Sequence, residues 1–274
     1  MPKILIDDGT FPHENSIGYS DENSGRHPDA FQWSRDGATK SKYKVFTDMT
    51  LWKAKDDPHP HKLAILIEPK CLSTVHYEKA RELEGVFEVI FTHDQELIKL
   101  GDPYRFCPFG GSWLKNWKIK EKHFKVSILT SKKTKTEGHK LRHEIVTVLG
   151  DKVQVYGEPY TAYLDTKAPA IAPFFYTIVV ESCRYDYWFT EKLIDPFSQG
   201  TIPIYWGSPS IGDWFDEDGI IQFETLSQLE EILDQIGEQD YEKRYEAVRL
   251  NFAVAHSFRT PEDFLAETNP WLLS

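Results

Sequence analysis

Three runs of the chain decide its fold: Val179-Val180-Glu181-Ser182-Cys183, then Trp188-Phe189-Thr190-Glu191-Lys192-Leu193, then Gly200-Thr201-Ile202-Pro203-Ile204-Tyr205-Trp206-Gly207. The first is an apolar, β-branched strand that ends on a carboxylate. The second opens a helix, with Thr190 placed to cap it, and the third is a strand closed by glycine. Strand, helix, strand in that rhythm predicts parallel neighbours joined by a right-handed crossover. In such sheets, ligands bind beyond the carboxyl ends of the strands.

The same alternation extends outward in both directions. Residues 126–129, 153–156, 175–180, 201–206 and 220–223 read as strands, and residues 136–149, 190–198 and 226–236 as helices. Ahead of them, residues 4–6, 44–47, 63–67 and 87–91 form a second set of short β-rich runs. Residues 9–42, crowded with Gly, Pro, Asn, Ser, Asp and His, lack periodicity and are expected to be loop. The last stretch, from residue 241, is expected to be helical to Phe258, then interrupted by Pro261 and Pro270. The fold class is therefore α/β. Its expected domains are 1–120, 121–258 and a tail at 259–274 that packs back on the first.

Composition narrows the function. The chain has 274 residues, 40% of them hydrophobic and 27% charged, which suits a folded protein rather than a disordered one. A formal net charge of −11 opposes nonspecific binding to nucleic acid or anionic membrane. No run approaches the roughly 20 apolar residues of a membrane helix, and the first strand meets Asp7 and Asp8 before a signal-peptide core forms. Cys71, Cys107 and Cys183 are odd in number and widely spaced, so they read as reduced thiols in a cytoplasmic protein.

Against the acidic total, residues 115–142 hold ten basic residues and only Glu121 and Glu137 as acids. That excess reads either as a solvated surface or as an anion site. The Thr190-Glu191-Lys192 helix start has the same two readings. A plain capped helix explains it, but Lys192 in a first turn opposes the helix dipole unless an anion binds there.

The order and spacing of these runs resemble the fucosyltransferases of glycosyltransferase family 10. That family has a strand ending Phe-Glu-Asn-Ser, a Tyr-x-Thr-Glu-Lys-Leu helix start and a Gly-x-(Val/Ile)-Pro-(Val/Ile) strand. Val126-Ser127-Ile128-Leu129-Thr130-Ser131 with Arg142, Val153 to Gly157, Ile67-Glu68-Pro69, and Phe91 to Asp94 followed by Pro108-Phe109-Gly110 extend the resemblance across residues 63–258.

The resemblance implies a GT-B arrangement of two Rossmann-like domains whose parallel sheets face a central cleft, with the acceptor on the N-terminal side and the nucleotide sugar on the C-terminal side. It implies GDP-fucose as donor, inversion at the anomeric carbon, α-1,3 or α-1,4 products, an oligosaccharide or lipid-linked glycan acceptor, and no metal or other cofactor. Carried over residue by residue, Glu68 is the catalytic base. Arg142 and Lys192 neutralise the diphosphate, and Glu191 contacts donor hydroxyls. Glu181, Thr190, Thr130, Ser131 and Trp188 complete the donor-binding set.

Ser182, Cys183, Thr130, Ser131 and Trp188 depart from the family pattern, which leaves open a second reading with the same fold and another nucleotide-sugar donor. A third reading, from a different class, is a carbohydrate- or nucleotide-binding protein without turnover. Asp57, His59 and His61 read as exposed loop residues or as metal ligands, and Asp94 as an orienter for His93 or as a helix cap.

Overall fold

A computed structural model of the chain describes residues 1–9 and 28–274. The chain divides into two compact units. One comprises Met1–Gly111, Asp186–Trp188 and Ser257–Ser274; the other comprises Ser112–Tyr185 and Phe189–His256.

The first unit is built on the strands β1 (Lys3–Asp7), β2 (Gln32–Ser34), β3 (Lys44–Thr47), β4 (Lys62–Ile65), β5 (Val89–Thr92) and β6 (Tyr104–Phe106). They lie in the order β2-β1-β3-β4-β5-β6, every pair parallel. Helices α1 (Thr74–Glu82) and α2 (Gln95–Ile98) and a 3-10 helix at Asp48–Lys55 connect them. Asp94 caps α2, its carboxylate accepting from the Leu97 amide at 3.0 Å, so the capping reading of that residue holds. Phe46, Leu51, Ala64, Tyr77, Ile90 and their neighbours form the core under the sheet.

Two expectations fail in this unit. Strand β2 lies inside the stretch expected to be loop; the rest of that expectation, at residues 10–27, falls outside the described residues. At three residues, Gln32–Ser34 is too short to show a period of two, and only its pairing with β1, from Lys3 with Gln32 to Leu5 with Ser34, defines it. Likewise Pro261 and Pro270 begin helical segments rather than interrupt one. Thr260 caps α9 (Pro261–Thr268), and Pro270 opens the 3-10 turn Pro270–Leu273. Proline lacks only an N–H that a first-turn position would leave unused.

The second unit carries β7 (Phe124–Leu129), β8 (Gln154–Tyr156), β9 (Phe174–Val180), β10 (Ile202–Trp206) and β11 (Ile221–Gln222). Its order is β11-β10-β9-β7-β8, all parallel. Helices α3 (Glu137–Leu149), α4 (Ala168–Ile171), α5 (Glu191–Gln199), α6 (Leu226–Gln235), α7 (Glu238–Lys243) and α8 (Tyr245–Ala255) surround the sheet. Thr136, Thr190 and Thr225 cap α3, α5 and α6. Pro203 is tolerated in β10 because β11 pairs only with Ile204 and Tyr205, so no donor is required of it on that side.

Read in chain order, both sheets follow the sequence second, first, third, fourth, fifth. The strand order therefore reverses between β1 and β3 in the first unit and between β7 and β9 in the second. In doubly wound sheets this reversal opens a crevice at the carboxyl ends of the two strands. It marks Asp8 and Asp48 in one unit, and Thr130 and Glu181 in the other.

Ile204 is fully buried at the centre of β10, within the core formed by Ile128, Ile178, Ile202, Leu229 and Leu233. Ile204→Ala is expected to cost about 2–5 kcal/mol, read as a lower urea midpoint with an unchanged slope.

Candidate active site

The second unit assembles a charged cluster at its strand reversal. Glu181 follows the last residue of β9 and is fully buried. Its Oε1 accepts from the Thr190 amide at 2.9 Å and its Oε2 from the Thr190 hydroxyl at 2.8 Å. Two charge-assisted bonds thus fix the cap residue of α5 to the end of β9. Glu181, expected among the donor-contacting residues, spends both oxygens on this internal task.

Helix α3 reaches the same point from the other side. The Gly138 amide donates to the Ser182 carbonyl at 3.1 Å, and a Cβ at Gly138 would lie 1.7 Å from the Glu181 carbonyl oxygen. Only glycine permits that approach. One turn later, Arg142 is buried and donates through Nε and Nη2 to the Val180 carbonyl at 3.0 and 2.7 Å. Its Nη1 has no hydrogen-bond partner among the described residues. Burial pulls the Arg142 guanidinium below its ordinary range, and the charges of Glu181 and Glu191 oppose that. An arginine keeps its proton under such a shift.

Lys192, in the first turn of α5, donates to the Thr190 hydroxyl at 3.0 Å and lies 3.6 Å from Glu181 and 3.3 Å from Glu191. Its side chain is 28% exposed, so the ammonium is within reach of a ligand. His139, inside α3, is pushed down to about 4 by burial and by the neighbouring charges of Arg142, Lys133 and Lys192. It is neutral near pH 7 and adds no charge.

Behind this front lies an ion triad that the sequence did not single out. Lys167 Nζ lies 3.1 Å from Glu191 and 3.2 Å from Asp195, and sits over the Trp113 ring at 3.9 Å. Asp195 is fully buried and also accepts from the Ser112 hydroxyl and the Trp113 amide. Burial alone would raise the Glu191 carboxyl, but Lys167 and Lys192 overcome it and hold the group well below the usual carboxylate range. Asp195 is raised, burial outweighing Lys167. One signal was legible: Glu191 and Asp195 are four apart, hence on one face of a helix, amid Leu193, Ile194 and Phe197. Lys167 carries no motif.

The other expected donor residues are placed differently. The Thr130 hydroxyl is turned inward, donating to the Tyr156 and Gly157 carbonyls at 2.9 and 3.2 Å, while Ser131 is half-buried on the loop after β7. Trp188 belongs to the first unit and is buried against His93, with ring centroids 5.8 Å apart. The strained Tyr187, at φ 60°, turns the chain just before it.

The basic run also resolves into separate tasks. Half-buried Lys122 donates to the Ala172 and Gln199 carbonyls and the Thr201 hydroxyl, and Lys132 pairs with Glu158 at 2.8 Å.

In the first unit Glu68 is half-buried on the loop after β4. Its amide donates to Asp48 Oδ2 at 3.0 Å, and its carbonyl accepts from the Tyr77 hydroxyl at 2.9 Å. Asp57, His59 and His61 are held by protein partners: Asp57 pairs with Lys44, the His59 ring nitrogens lie against the His61 and Ser41 carbonyls, and His61 lies 2.6 Å from Glu88. Cys71 and Cys183 are both disulfide-bonded and Cys107 is a buried free thiol, which corrects the reading of three reduced cysteines and removes its support for a cytoplasmic protein. Wide separation in sequence hid the bonded state. No helix among the described residues is long and apolar enough to cross a membrane.

Lys167→Met tests the triad. It leaves Glu191 and Asp195 buried without their shared cation, at an expected cost of about 3–5 kcal/mol in chemical denaturation. The Glu191 part has a definite sign: its depressed carboxyl contributes stability above the ordinary carboxylate range that is lost on acidification. Thermal melts should therefore show the gap between wild type and variant narrowing as pH falls.

No family model matches the chain. It is 40% identical over 47 residues to the alpha-(1,3)-fucosyltransferase FucT of Helicobacter pylori, covering 17% of this chain and 10% of that protein. It is 33% identical over 79 residues to GDP-fucose protein O-fucosyltransferase 3 of Canis lupus familiaris, covering 28% and 16%. These matches thus span a small part of either relative. A crystal structure of an alpha1,3-fucosyltransferase superposes with a TM-score of 0.56 at 13% identity, covering all of this chain and 89% of that one. A structure of an alpha1,3-fucosyltransferase with GDP gives 0.57 at 13% identity, covering all of this chain and 91% of the other. The fold is accordingly that of the GT-B fucosyltransferases, two Rossmann-like units each with a parallel sheet.

Proposed function

We propose that the protein is an inverting fucosyltransferase that moves fucose from GDP-fucose to a hydroxyl of an oligosaccharide or lipid-linked glycan, giving an α-1,3 or α-1,4 linkage. The observation that carries this reading is the placement of Arg142 and Lys192. A guanidinium with an uncommitted Nη1 and an ammonium in a helix first turn stand together at the strand reversal where a parallel sheet binds its ligand. The partial relatives, both fucosyltransferases by name, support the donor.

In the proposed reaction the Glu68 carboxylate takes the proton of the acceptor hydroxyl. The acceptor oxygen bonds to the anomeric carbon of fucose from the face opposite the diphosphate. The bond from that carbon to the diphosphate oxygen breaks, and its electron pair leaves on GDP. Arg142 Nη1 and Lys192 Nζ neutralise the charge that develops there, an electrostatic contribution that needs no metal. Glu191, held ionised by its two lysines, is an acceptor for donor-sugar hydroxyls. Glu181 and Thr190 act one step back, by fixing the helix start that carries Lys192.

Calorimetry with GDP-fucose, GDP-mannose, UDP-galactose and UDP-glucose tests the donor. GDP-fucose is expected to bind selectively, Lys192→Ala to weaken it at least tenfold, and Arg142→Ala to abolish measurable binding while circular dichroism confirms folding. Glu68→Gln is expected to bind GDP-fucose normally and release GDP at least a hundredfold more slowly. Preference for another nucleotide sugar would keep the fold and discard fucose. Normal binding without turnover in the wild type would make the protein a binder.

A further inference from the structure

Glu68 lies outside any strand or helix, yet its backbone is held on both sides by buried side chains. Asp48 spans two consecutive amides: Oδ1 accepts from Ile67 at 2.9 Å and Oδ2 from Glu68 at 3.0 Å. Tyr77, from α1, donates to the Glu68 carbonyl at 2.9 Å, and its hydroxyl also lies 3.2 Å from His93 Nε2. Asp48 itself follows the carboxyl end of β3, at the strand reversal of the first unit.

A carboxylate is a costly choice for pinning a loop. The Asp48 side chain is 1% exposed, and a buried charge needs a counter-charge or several donors. It has the two amides. His76, from α1, lies 3.8 Å away, but burial lowers the imidazole, which is neutral near pH 7. His93 is held down to about 3 by burial and is neutral too. Lys70, on the Glu68 loop, is directed to Glu96 and Asp94. Among the described residues, the formal charge facing Asp48 is therefore another carboxylate, Glu68. Burial pushes Asp48 up to about 7, the two amides pull it down, and the Glu68 charge raises it again. Coulombic coupling is mutual, so the state of Asp48 bears on that of Glu68.

We propose that Asp48 and Tyr77 are positioning residues for Glu68: they clamp the backbone on its two sides, and Asp48 places beside it a second carboxylate whose charge bears on the proton that Glu68 takes up. The catalytic part of this proposal rests on Glu68 being the base. The electrostatic part does not.

The test follows the carboxyl carbons of the full chain by NMR from about pH 5 to about pH 9, together with GDP release from GDP-fucose over the same range, for wild type, Asp48→Asn, Tyr77→Phe and Glu68→Gln. In the wild type the Glu68 resonance should show a second inflection where Asp48 titrates. In Asp48→Asn that inflection should vanish, and so should the step in the rate profile where Asp48 ionises. The KM for GDP-fucose should stay within about twofold, because the donor cluster is untouched. Tyr77→Phe should lower kcat roughly tenfold and leave that step in place. A single-step Glu68 titration in the wild type overturns the proposal, even if Asp48→Asn does not fold. So does an Asp48→Asn rate profile with the same step as the wild type's. Full activity in Glu68→Gln would instead remove Glu68 as base, while the NMR titration still decides the coupling.

Discussion

The charged cluster of the second unit depends on one buried carboxylate. Glu181 closes β9 and grips the start of α5 through the amide and the hydroxyl of Thr190, so a strand end and a helix start become one rigid corner. Gly138 brings α3 against the same backbone, closer than any side chain allows, and Arg142 then falls on the Val180 carbonyl one residue before Glu181. Lys192 is presented from the opposite side by the helix that Glu181 anchors. The corner fixes where a cationic pair stands, and the position is the strand reversal, where helix first turns and strand ends open together.

Charge within the cluster is nearly balanced, which separates affinity from placement. Arg142, Lys167 and Lys192 face Glu181, Glu191 and Asp195, so an anion is not drawn in by a large local excess of positive charge. What the arrangement offers is preorganisation. The acids hold the cations in fixed directions, so in the proposed reaction a diphosphate would meet donors already aimed, with little reorganisation to offset. Lys167 supports this from behind by keeping Glu191 ionised and by satisfying Asp195, whose carboxylate ties the Ser112–Trp113 segment to α5.

The first unit repeats the logic with a different chemistry. There the strand reversal holds Asp48, and the residue it positions is an acid rather than a cation. Both units thus use a buried carboxylate at a strand end to hold backbone amides: Thr190 in one, Ile67 and Glu68 in the other. Glu181 gains a hydroxyl and a lysine as partners besides the amide. Among the described residues Asp48 has no charged cation beside it, and burial moves its titration toward neutrality.

The sequence by itself determined the element types and their order, because β-branched runs and threonine-capped helices are local signals, legible without neighbours. Glu68, Arg142, Glu191 and Lys192 were singled out by the resemblance to the fucosyltransferase family, since their local chemistry alone is equally that of a capped helix and a charged surface. The sequence by itself missed β2 and β6, which are three residues each and exist only through pairing. It misjudged Pro261 and Pro270, since proline starts a helix as readily as it stops one. Tertiary structure alone decided that Glu181 faces inward, that Trp188 lies with His93 in the other unit, that Cys71 and Cys183 are oxidised, that Asp48 holds the Ile67 and Glu68 amides, and that Lys167 bridges Glu191 and Asp195. Each of those outcomes depends on residues far apart in the chain meeting in a low-dielectric interior. There the cost of an unpaired charge or donor selects the partner, and no local pattern records the choice.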